Sequence, residues 1–117
     1  MERSLTADRP KIVVVLGTTG AGKTKLAVDV AKAVGGEVIN ADCIQMYRGL
    51  DIASAKATPE EMEGVPHHLL SFLEPTEDFT VRDFRDAAGR LIEDIRARGR
   101  VPVICGGTKY YVHSLLE

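Results

Sequence analysis

Residues 11–24 have the sequence KIVVVLGTTGAGKT, in which an apolar run leads directly into a glycine-rich segment. The run at 11–16 is rich in β-branched side chains, a pattern typical of a strand buried on both faces of a sheet. Residues 17–22 predict a loop, and the spacing of apolar residues in 23–34 predicts a helix that Gly35 and Gly36 end. A strand, a glycine-rich loop and a helix in this order predict an α/β core with a parallel sheet.

The glycine-rich segment matches the P-loop pattern G-x-x-x-x-G-K-[ST]. In this pattern glycines let backbone N–H groups converge on phosphate oxygens, while the lysine adds positive charge and the threonine hydroxyl can hold Mg²⁺. A chance match in a glycine-rich turn is the alternative, but the flanking strand and helix favour a diphosphate site, which leaves the reaction open. The matching residues are Gly17, Thr18, Thr19, Gly20, Ala21, Gly22, Lys23 and Thr24.

The rest of the chain alternates predicted strands and helices. EVIN at 37–40 and VPVIC at 101–105 predict buried strands, and HLLSFL at 68–73 predicts a short one. Residues 43–58 have no clear period and predict a loop, and residues 59–62 predict one helical turn. Strands that alternate with helices indicate βαβ units.

The apolar positions of the helices predict which faces are buried. In the first helix these positions are Leu26, Ala27, Val30, Ala31 and Val34. A second helix is predicted over 80–98, with Thr80 as N-cap, Asp83 as its capping-box partner and Gly99 after its end. Its apolar stripe consists of Val81, Phe84, Ala88, Leu91, Ile92 and Ile95, and its solvated side includes Asp83, Arg85, Asp86, Glu93, Asp94 and Arg96.

Polar residues follow the predicted strands at the edge where parallel sheets bind ligands. Asp42 comes after 37–40 and could organise a metal, act as a general base or cap a turn. Gly106, Gly107 and Thr108 follow 101–105 and could offer donors to a leaving diphosphate or form only a tight turn. We expect residues 17–24, Asp42 and 106–108 to line one rim.

Composition narrows the function classes. A net charge of −2 and a pI of about 5.9 give no electrostatic footprint for nucleic acid. No apolar run approaches a membrane span, and the two cysteines, Cys43 and Cys105, predict reduced thiols. His67 and His68 predict a structural pair rather than a metal site, because no third ligand has suitable spacing. We expect a polar leader at 1–10 and one domain over 11–117.

The motifs together resemble the tRNA dimethylallyltransferases, also called tRNA isopentenyltransferases. The likeness runs from about residue 11 to the end, in GTTGAGKT, NADCIQMYRGLDIASAK, PHHLLSFLEP, DFRDAAGRLIEDI and VPVICGGTKYYVHSLL. PHHLLSFLEP is more similar to the eukaryotic branch. The resemblance implies a P-loop NTPase-like three-layer α/β/α core. It also implies transfer of a dimethylallyl group from dimethylallyl diphosphate to N6 of the adenosine beside the anticodon in tRNA.

The resemblance also implies roles for particular residues. The P-loop would hold the diphosphate of the prenyl donor, with Lys23 as a catalytic group and Mg²⁺ on Thr24. Asp42 would be the general base, and Thr108 would lie near the diphosphate and the tRNA. The segment contacting the target base would be Asp42, Cys43, Ile44 and Gln45, with Cys43 standing where the family usually has serine.

Three alternatives stay open. An adenylate isopentenyltransferase acting on free AMP, ADP or ATP shares the P-loop and the aspartate, although GGTKYY at 106–111 looks more like the tRNA enzymes. A small-molecule kinase would use the P-loop for ATP binding. The third alternative is not enzymatic: the chain would be an inactive truncated product. Because family members are much longer, we expect the N-terminal portion of an enzyme whose tRNA contacts lie mostly elsewhere. We expect a cytoplasmic monomer with no membrane partner, with mitochondrial and nuclear pools left open.

Overall fold

The computed structural model describes residues 12–16, 23–42, 44–48 and 58–106. These ranges contain four strands: β1 (Val13–Leu16), β2 (Gly36–Asn40), β3 (His67–His68) and β4 (Val101–Gly106). The strands pair in parallel in the order β1-β4-β2-β3. The predicted parallel sheet is therefore confirmed, and the carboxyl ends of β1, β4 and β2 lie together at one edge.

Helices lie on both faces of the sheet. The described residues form α1 (Lys23–Val34), the single turn α2 (Pro59–Met62) and α3 (Val81–Ala97). Successive residues of a strand point to opposite faces. Accordingly, Val38 of β2 packs in the cluster that contains α1, whereas Ile39 packs in the cluster that contains α3. The sheet lies between α1 and α3, which confirms the three-layer arrangement.

The predicted α3 is confirmed at both ends and along its buried stripe. The Thr80 hydroxyl accepts a hydrogen bond from the Asp83 N–H at 3.1 Å, and the Asp83 carboxylate accepts one from the Thr80 N–H at 2.9 Å. Gly99, with a φ of 77°, adopts the left-handed conformation that ends many helices. Phe84, Ala88, Ile92 and Ile95 are buried, Val81 and Leu91 are partly buried, and the six predicted solvated residues are exposed.

α1 has the predicted bounds but a different buried face. Ala27, Val28 and Ala31 are buried against the sheet, whereas Leu26 is 52% exposed and Val34 is 42% exposed. The predicted stripe is therefore wrong at these two positions. Leu26 is turned by about 100° from Ala27 around the helix axis. Because Ala27 packs against the sheet, Leu26 points outward. Val34 is the last helical residue, next to the turn at Gly35.

The predicted strand at 68–73 is wrong beyond His68. β3 pairs only through His67 and His68, since Leu69 has a φ of 65° and Ser71 one of 51°. These left-handed values are uncommon for residues other than glycine and stop an extended strand. The chain instead folds onto a 3-10 turn, Ile44–Met46, where the Ser71 N–H donates to the carbonyl of Gln45 at 3.0 Å.

The remaining bounds differ little from the prediction. β2 begins one residue early, at Gly36, and β4 ends one residue late, at Gly106. α2 lies where the helical turn was predicted, with Thr58 as its N-cap. The predicted leader at 1–10, the loop at 17–22, the second glycine turn at 107–108 and the helix after it lie outside the described residues. Within the described residues, no helix has both the length and the apolar character that crossing a bilayer requires.

Candidate active site

The carboxyl edge of the sheet gathers the predicted site residues that the structure describes. Lys23 and Thr24 begin α1, Asp42 follows β2, and Ile44 and Gln45 begin the 3-10 turn. This placement confirms the predicted shared rim for these residues. The other predicted site residues lie outside the described part of the chain: Gly17, Thr18, Thr19, Gly20, Ala21, Gly22, Cys43 and Thr108.

Lys23 and Asp42 form a buried pair of opposite charges. Lys23 Nζ lies 4.0 Å from Asp42 Oδ2, and the side chains are 7% and 6% exposed. That separation allows attraction but is too long for a hydrogen bond. Among the residues that the structure describes, none accepts a hydrogen bond from Lys23 Nζ. A buried ammonium at a helix N-terminus with unused donors is suited to receive an anion.

Asn40 holds the backbone of Asp42. Asn40 Nδ2 donates to the Asp42 carbonyl at 2.9 Å and to the Leu69 carbonyl at 3.0 Å, while its Oδ1 accepts from the Asp42 N–H at 3.0 Å. The Asp42 carbonyl also accepts from the Gln45 N–H at 3.1 Å, which starts the 3-10 turn. The Asp42 backbone therefore begins a turn while its carboxylate faces Lys23.

Gly106 permits a close approach between β4 and the segment that leads into Asp42. The Ala41 N–H donates to the Cys105 carbonyl at 2.8 Å. A Cβ added to Gly106 would lie 2.7 Å from Ala41 Cβ and 3.0 Å from the Ala41 carbonyl oxygen. Since real Cβ atoms do not approach so closely, glycine is required here to keep Asp42 at the rim.

A small cavity lies beneath this rim. Its volume, counted as the space open to the centre of a water molecule, is about 20 Å³, enough for one water. Burial raises the pKa of the Cys105 thiol in its wall, and burial lowers the pKa of the His67 imidazole. The polar side chains in the wall are thus mainly neutral. The lining residues are Thr24, Ala27, Val38, Asn40, Gln45, His67, Leu70 and Cys105.

The two histidines have separate structural contacts. His67 Nδ1 lies 2.8 Å from the Val65 carbonyl, and His68 Nε2 lies 2.8 Å from Glu37 Oε1. Glu37 also accepts hydrogen bonds from Arg98 at 2.5 and 3.0 Å, and Arg100 Nε lies 3.0 Å from Glu37 Oε2. Glu37 lies near the start of β2, so this charge cluster is away from the carboxyl edge and stabilises the fold.

Comparison with known proteins settles the family. Residues 45–117 match the family described as IPP transferase, which is more than half of the chain. The chain belongs to the IPP transferase family. It is 49% identical over 112 residues to the tRNA dimethylallyltransferase of Staphylococcus carnosus, covering 96% of this chain and 35% of that protein. It is 54% identical over 106 residues to the enzyme of that name from Geobacillus thermodenitrificans, covering 91% of this chain and 34% of that protein.

Solved structures of related proteins have the same fold as this IPP transferase chain. The tRNA isopentenylpyrophosphate transferase of Bacillus halodurans superposes with a TM-score of 0.87 at 50% identity, over 92% of this chain and 35% of that one. A eukaryotic dimethylallyltransferase acting on tRNA has a TM-score of 0.87 at 38% identity, over 92% of this chain and 27% of that one. Overall identity is thus higher to these bacterial proteins, although PHHLLSFLEP suggested the eukaryotic branch. The chain spans about a third of the length of the curated relatives it matches.

Sequence reasoning missed two parts of this IPP transferase site. The sequence predicts Asn40 only as the end of a strand, although an asparagine side chain often bonds the backbone two residues on, as Asn40 does with the Asp42 N–H. The left-handed turn at Leu69 carried no such signal, because neither glycine nor asparagine is present there. Its carbonyl contact with Asn40 depends on tertiary structure alone.

Proposed function

We propose that this chain forms the donor-binding and catalytic edge of an enzyme that prenylates tRNA. The reaction would transfer a dimethylallyl group from dimethylallyl diphosphate to N6 of the adenosine beside the anticodon. The observation that carries the proposal is the buried Lys23–Asp42 pair, with 4.0 Å between Nζ and Oδ2 at the ligand-binding edge of a parallel sheet. The names of the curated relatives support this function.

The two side chains match the two demands of the reaction. The adenine amine attacks C1 of the dimethylallyl group as the bond between C1 and the diphosphate oxygen breaks, and the diphosphate leaves with the electron pair. Lys23 would stabilise the charge that develops on the diphosphate. Asp42 would accept the amine proton as general base. The base must leave its stack to reach a buried carboxylate, which requires an extruded nucleotide.

The residues around Lys23 also fit a magnesium ion. Mg²⁺ prefers oxygen ligands and is commonly held by a few protein groups together with substrate phosphates. The half-buried Thr24 follows Lys23 at the N-terminus of α1, and in this proposal its hydroxyl would hold the ion. When bound, Mg²⁺ would neutralise part of the diphosphate charge. Thr108 and the base-contacting segment Asp42, Cys43, Ile44 and Gln45 keep their predicted roles in this proposal.

We place most contacts with the tRNA backbone outside this chain. Its formal net charge of −2 offers little attraction for the phosphates of a folded RNA. We further propose that the protein works as a monomer in the cytoplasm, where its acceptor tRNA is found. Light scattering of the purified chain checks the oligomeric state.

Calorimetric titration of the 117-residue chain tests the donor site. Dimethylallyl diphosphate with Mg²⁺ and ATP with Mg²⁺ are titrated in parallel into wild type, Lys23→Ala and Lys25→Ala. Lys25 is a suitable control because its side chain is 76% exposed on the same helix. Binding of the prenyl diphosphate that is lost only in Lys23→Ala supports the proposal. Preferential binding of ATP would favour a kinase instead.

A transfer assay identifies the acceptor. Labelled dimethylallyl diphosphate is incubated with AMP or with a tRNA anticodon stem-loop. The enzyme is either the chain alone or the chain continued by the remaining two thirds of the Bacillus halodurans protein. Prenylation of the stem-loop by the extended protein supports tRNA as the acceptor. Prenylation of AMP in preference would favour an adenylate isopentenyltransferase, and no transfer by either protein would contradict the proposed reaction.

A further inference from the structure

Asn40 uses all of its side-chain polar atoms inside the site. It is the last residue of β2 and is only 4% exposed. Its amide nitrogen meets two carbonyls and its oxygen meets one N–H, so only one orientation of the amide satisfies every contact. A buried amide with complete pairing has a fixed position.

The three hydrogen bonds control where Asp42 lies. Both the N–H and the C=O of Asp42 are held by the same side chain, which leaves its peptide groups little freedom. One methylene group separates an aspartate carboxylate from Cα, so a fixed backbone limits the carboxylate to a few rotamer positions. The separation of 4.0 Å from Lys23 Nζ therefore depends on Asn40.

The third bond ties Asn40 itself to a distant part of the chain. Asn40 Nδ2 donates to the carbonyl of Leu69, a residue with a φ of 65°. Left-handed backbone at a leucine is strained and persists only where its surroundings fix it. The Leu69 turn is itself anchored on the 3-10 turn that follows Asp42, because the Ser71 N–H donates to the Gln45 carbonyl. Asn40 thus joins the backbone of Asp42 to the turn at Leu69.

We infer that Asn40 is a positioning residue that fixes the Asp42 carboxylate for proton removal, with the left-handed Leu69 carbonyl as its second anchor. This inference rests on the proposed function. Asn40 does not touch the reacting atoms in this assignment. It acts by keeping the general base within reach of the amine, and a shift of about 1 Å in such a group costs about 100-fold in rate.

Three substitutions of Asn40 distinguish the contributions of its three hydrogen bonds. Asn40→Ala removes all three hydrogen bonds. Asn40→Asp keeps the acceptor for the Asp42 N–H but turns both carbonyl contacts into repulsive ones. Asn40→Ser keeps a hydroxyl that can bond the backbone two residues on but is too short to bridge to Leu69. Variants of Ile95 in the core of α3, chosen to match the melting temperature of Asn40→Ala, control for lost stability.

The experiment combines amide hydrogen exchange on the chain with steady-state prenyl transfer. We expect Asn40→Ala to speed exchange of the Asp42 amide about tenfold beyond the Ile95 control. We expect kcat to fall about 100-fold while the KM for dimethylallyl diphosphate stays within about threefold. Asn40→Asp should match the alanine variant. Asn40→Ser should recover only part of kcat, because it can restore the contact with the Asp42 N–H but not the anchor at Leu69. A purely structural defect would instead make kcat follow the melting temperature of each variant.

Several results would overturn the inference. They are an Asp42 amide that stays protected in Asn40→Ala, a loss of kcat no larger than in the Ile95 control, and a raised KM with unchanged kcat. If Asn40→Ala does not fold, the aspartate and serine variants decide by the same measurements. Transfer is measured with the protein extended by the remaining two thirds of the Bacillus halodurans sequence. If that extended wild type transfers no prenyl group, the proposed function fails, and the exchange data alone decide whether Asn40 positions Asp42.

Discussion

Lys23 Nζ lies 4.0 Å from Asp42 Oδ2, although the two residues belong to different layers of the fold. Lys23 begins helix α1 on one face of the sheet, and Asp42 follows strand β2 of the sheet itself. The carboxylate attracts the ammonium but repels any phosphate that approaches on its own side. In the proposed function, a diphosphate bound by Lys23 would therefore lie toward the N-terminus of α1. In the proposed function, the side of Asp42 would receive the amine that gives up a proton.

Replacing Lys23 tests the anion-binding half of this pair. Lys23→Ala should weaken binding of dimethylallyl diphosphate by about 10-fold to 100-fold, because a charge-assisted contact to phosphate contributes about 1.5–3 kcal/mol. Titration calorimetry measures the change. Lys25→Ala removes an exposed lysine that pairs with Asp29 at 3.3 Å and should bind as wild type does. Equal weakening in both variants would mean that net charge, and not this site, controls binding.

Replacing Asp42 tests the proton-accepting half. Asp42→Asn should lower kcat by about 100-fold to 10,000-fold, the usual contribution of a general base. Affinity for the prenyl diphosphate should be unchanged or higher, since a nearby negative charge is removed. Single-turnover transfer assays separate the two effects. Asp29→Asn, on the exposed face of α1, serves as the control. A variant that loses donor affinity and keeps its rate would contradict the role of Asp42 as base.

Replacing Gly106 tests whether its close packing against Ala41 controls the geometry of the site. Gly106→Ala places a methyl group 2.7 Å from Ala41 Cβ, which must displace the segment leading into Asp42. We expect a loss of about 1–3 kcal/mol in the free energy of unfolding, measured by urea denaturation, and a reduced kcat. Gly89→Ala in α3 meets no heavy atom within 4 Å and should stabilise the protein by about 0.5–1 kcal/mol. Wild-type stability in Gly106→Ala would show that the Ala41 segment yields without cost.

The sequence predicted what depends on local chemistry. α1 and α3 have local signals at their ends, such as the Thr80–Asp83 capping box and the left-handed Gly99, and both helices have nearly the predicted bounds. Asp42 was placed on the rim because it directly follows a buried strand. Each of these inferences needed only neighbouring residues and the geometry of a parallel sheet.

What the sequence could not predict depends on contacts between distant residues. The outward rotation of Leu26 follows from which helix face can approach β2 and β4 most closely, a question of tertiary packing. Leu69 and Ser71 are left-handed because the turn bonds to the 3-10 segment more than 20 residues earlier, where no local preference favours that conformation. The 4.0 Å between Lys23 and Asp42 likewise appears only in the folded chain.

Glu37 gives the protein a predictable sensitivity to acid. Hydrogen bonds from Arg98, and then from His68, lower the pKa of its carboxyl from 4.5 to about 2, although burial acts in the opposite direction. A pKa that is lower in the folded state means that the stabilisation is complete above pH 4.5 and is lost as the pH falls toward 2. Because Arg98 is 43% exposed, solvent screening reduces the effect to about 1–2 kcal/mol.

Glu37→Gln isolates this contribution. At pH 7 the variant should unfold with a free energy lower by about 1–3 kcal/mol, because it removes the charged acceptor of the Arg98 hydrogen bonds and the ion pair with Arg100. Its stability should fall less steeply than that of wild type between pH 4.5 and 2, the interval between the ordinary and folded pKa values of Glu37. Urea unfolding at a series of pH values measures both effects, with Glu93→Gln on the exposed side of α3 as control. Parallel curves for wild type and Glu37→Gln would assign the acid sensitivity to other carboxylates.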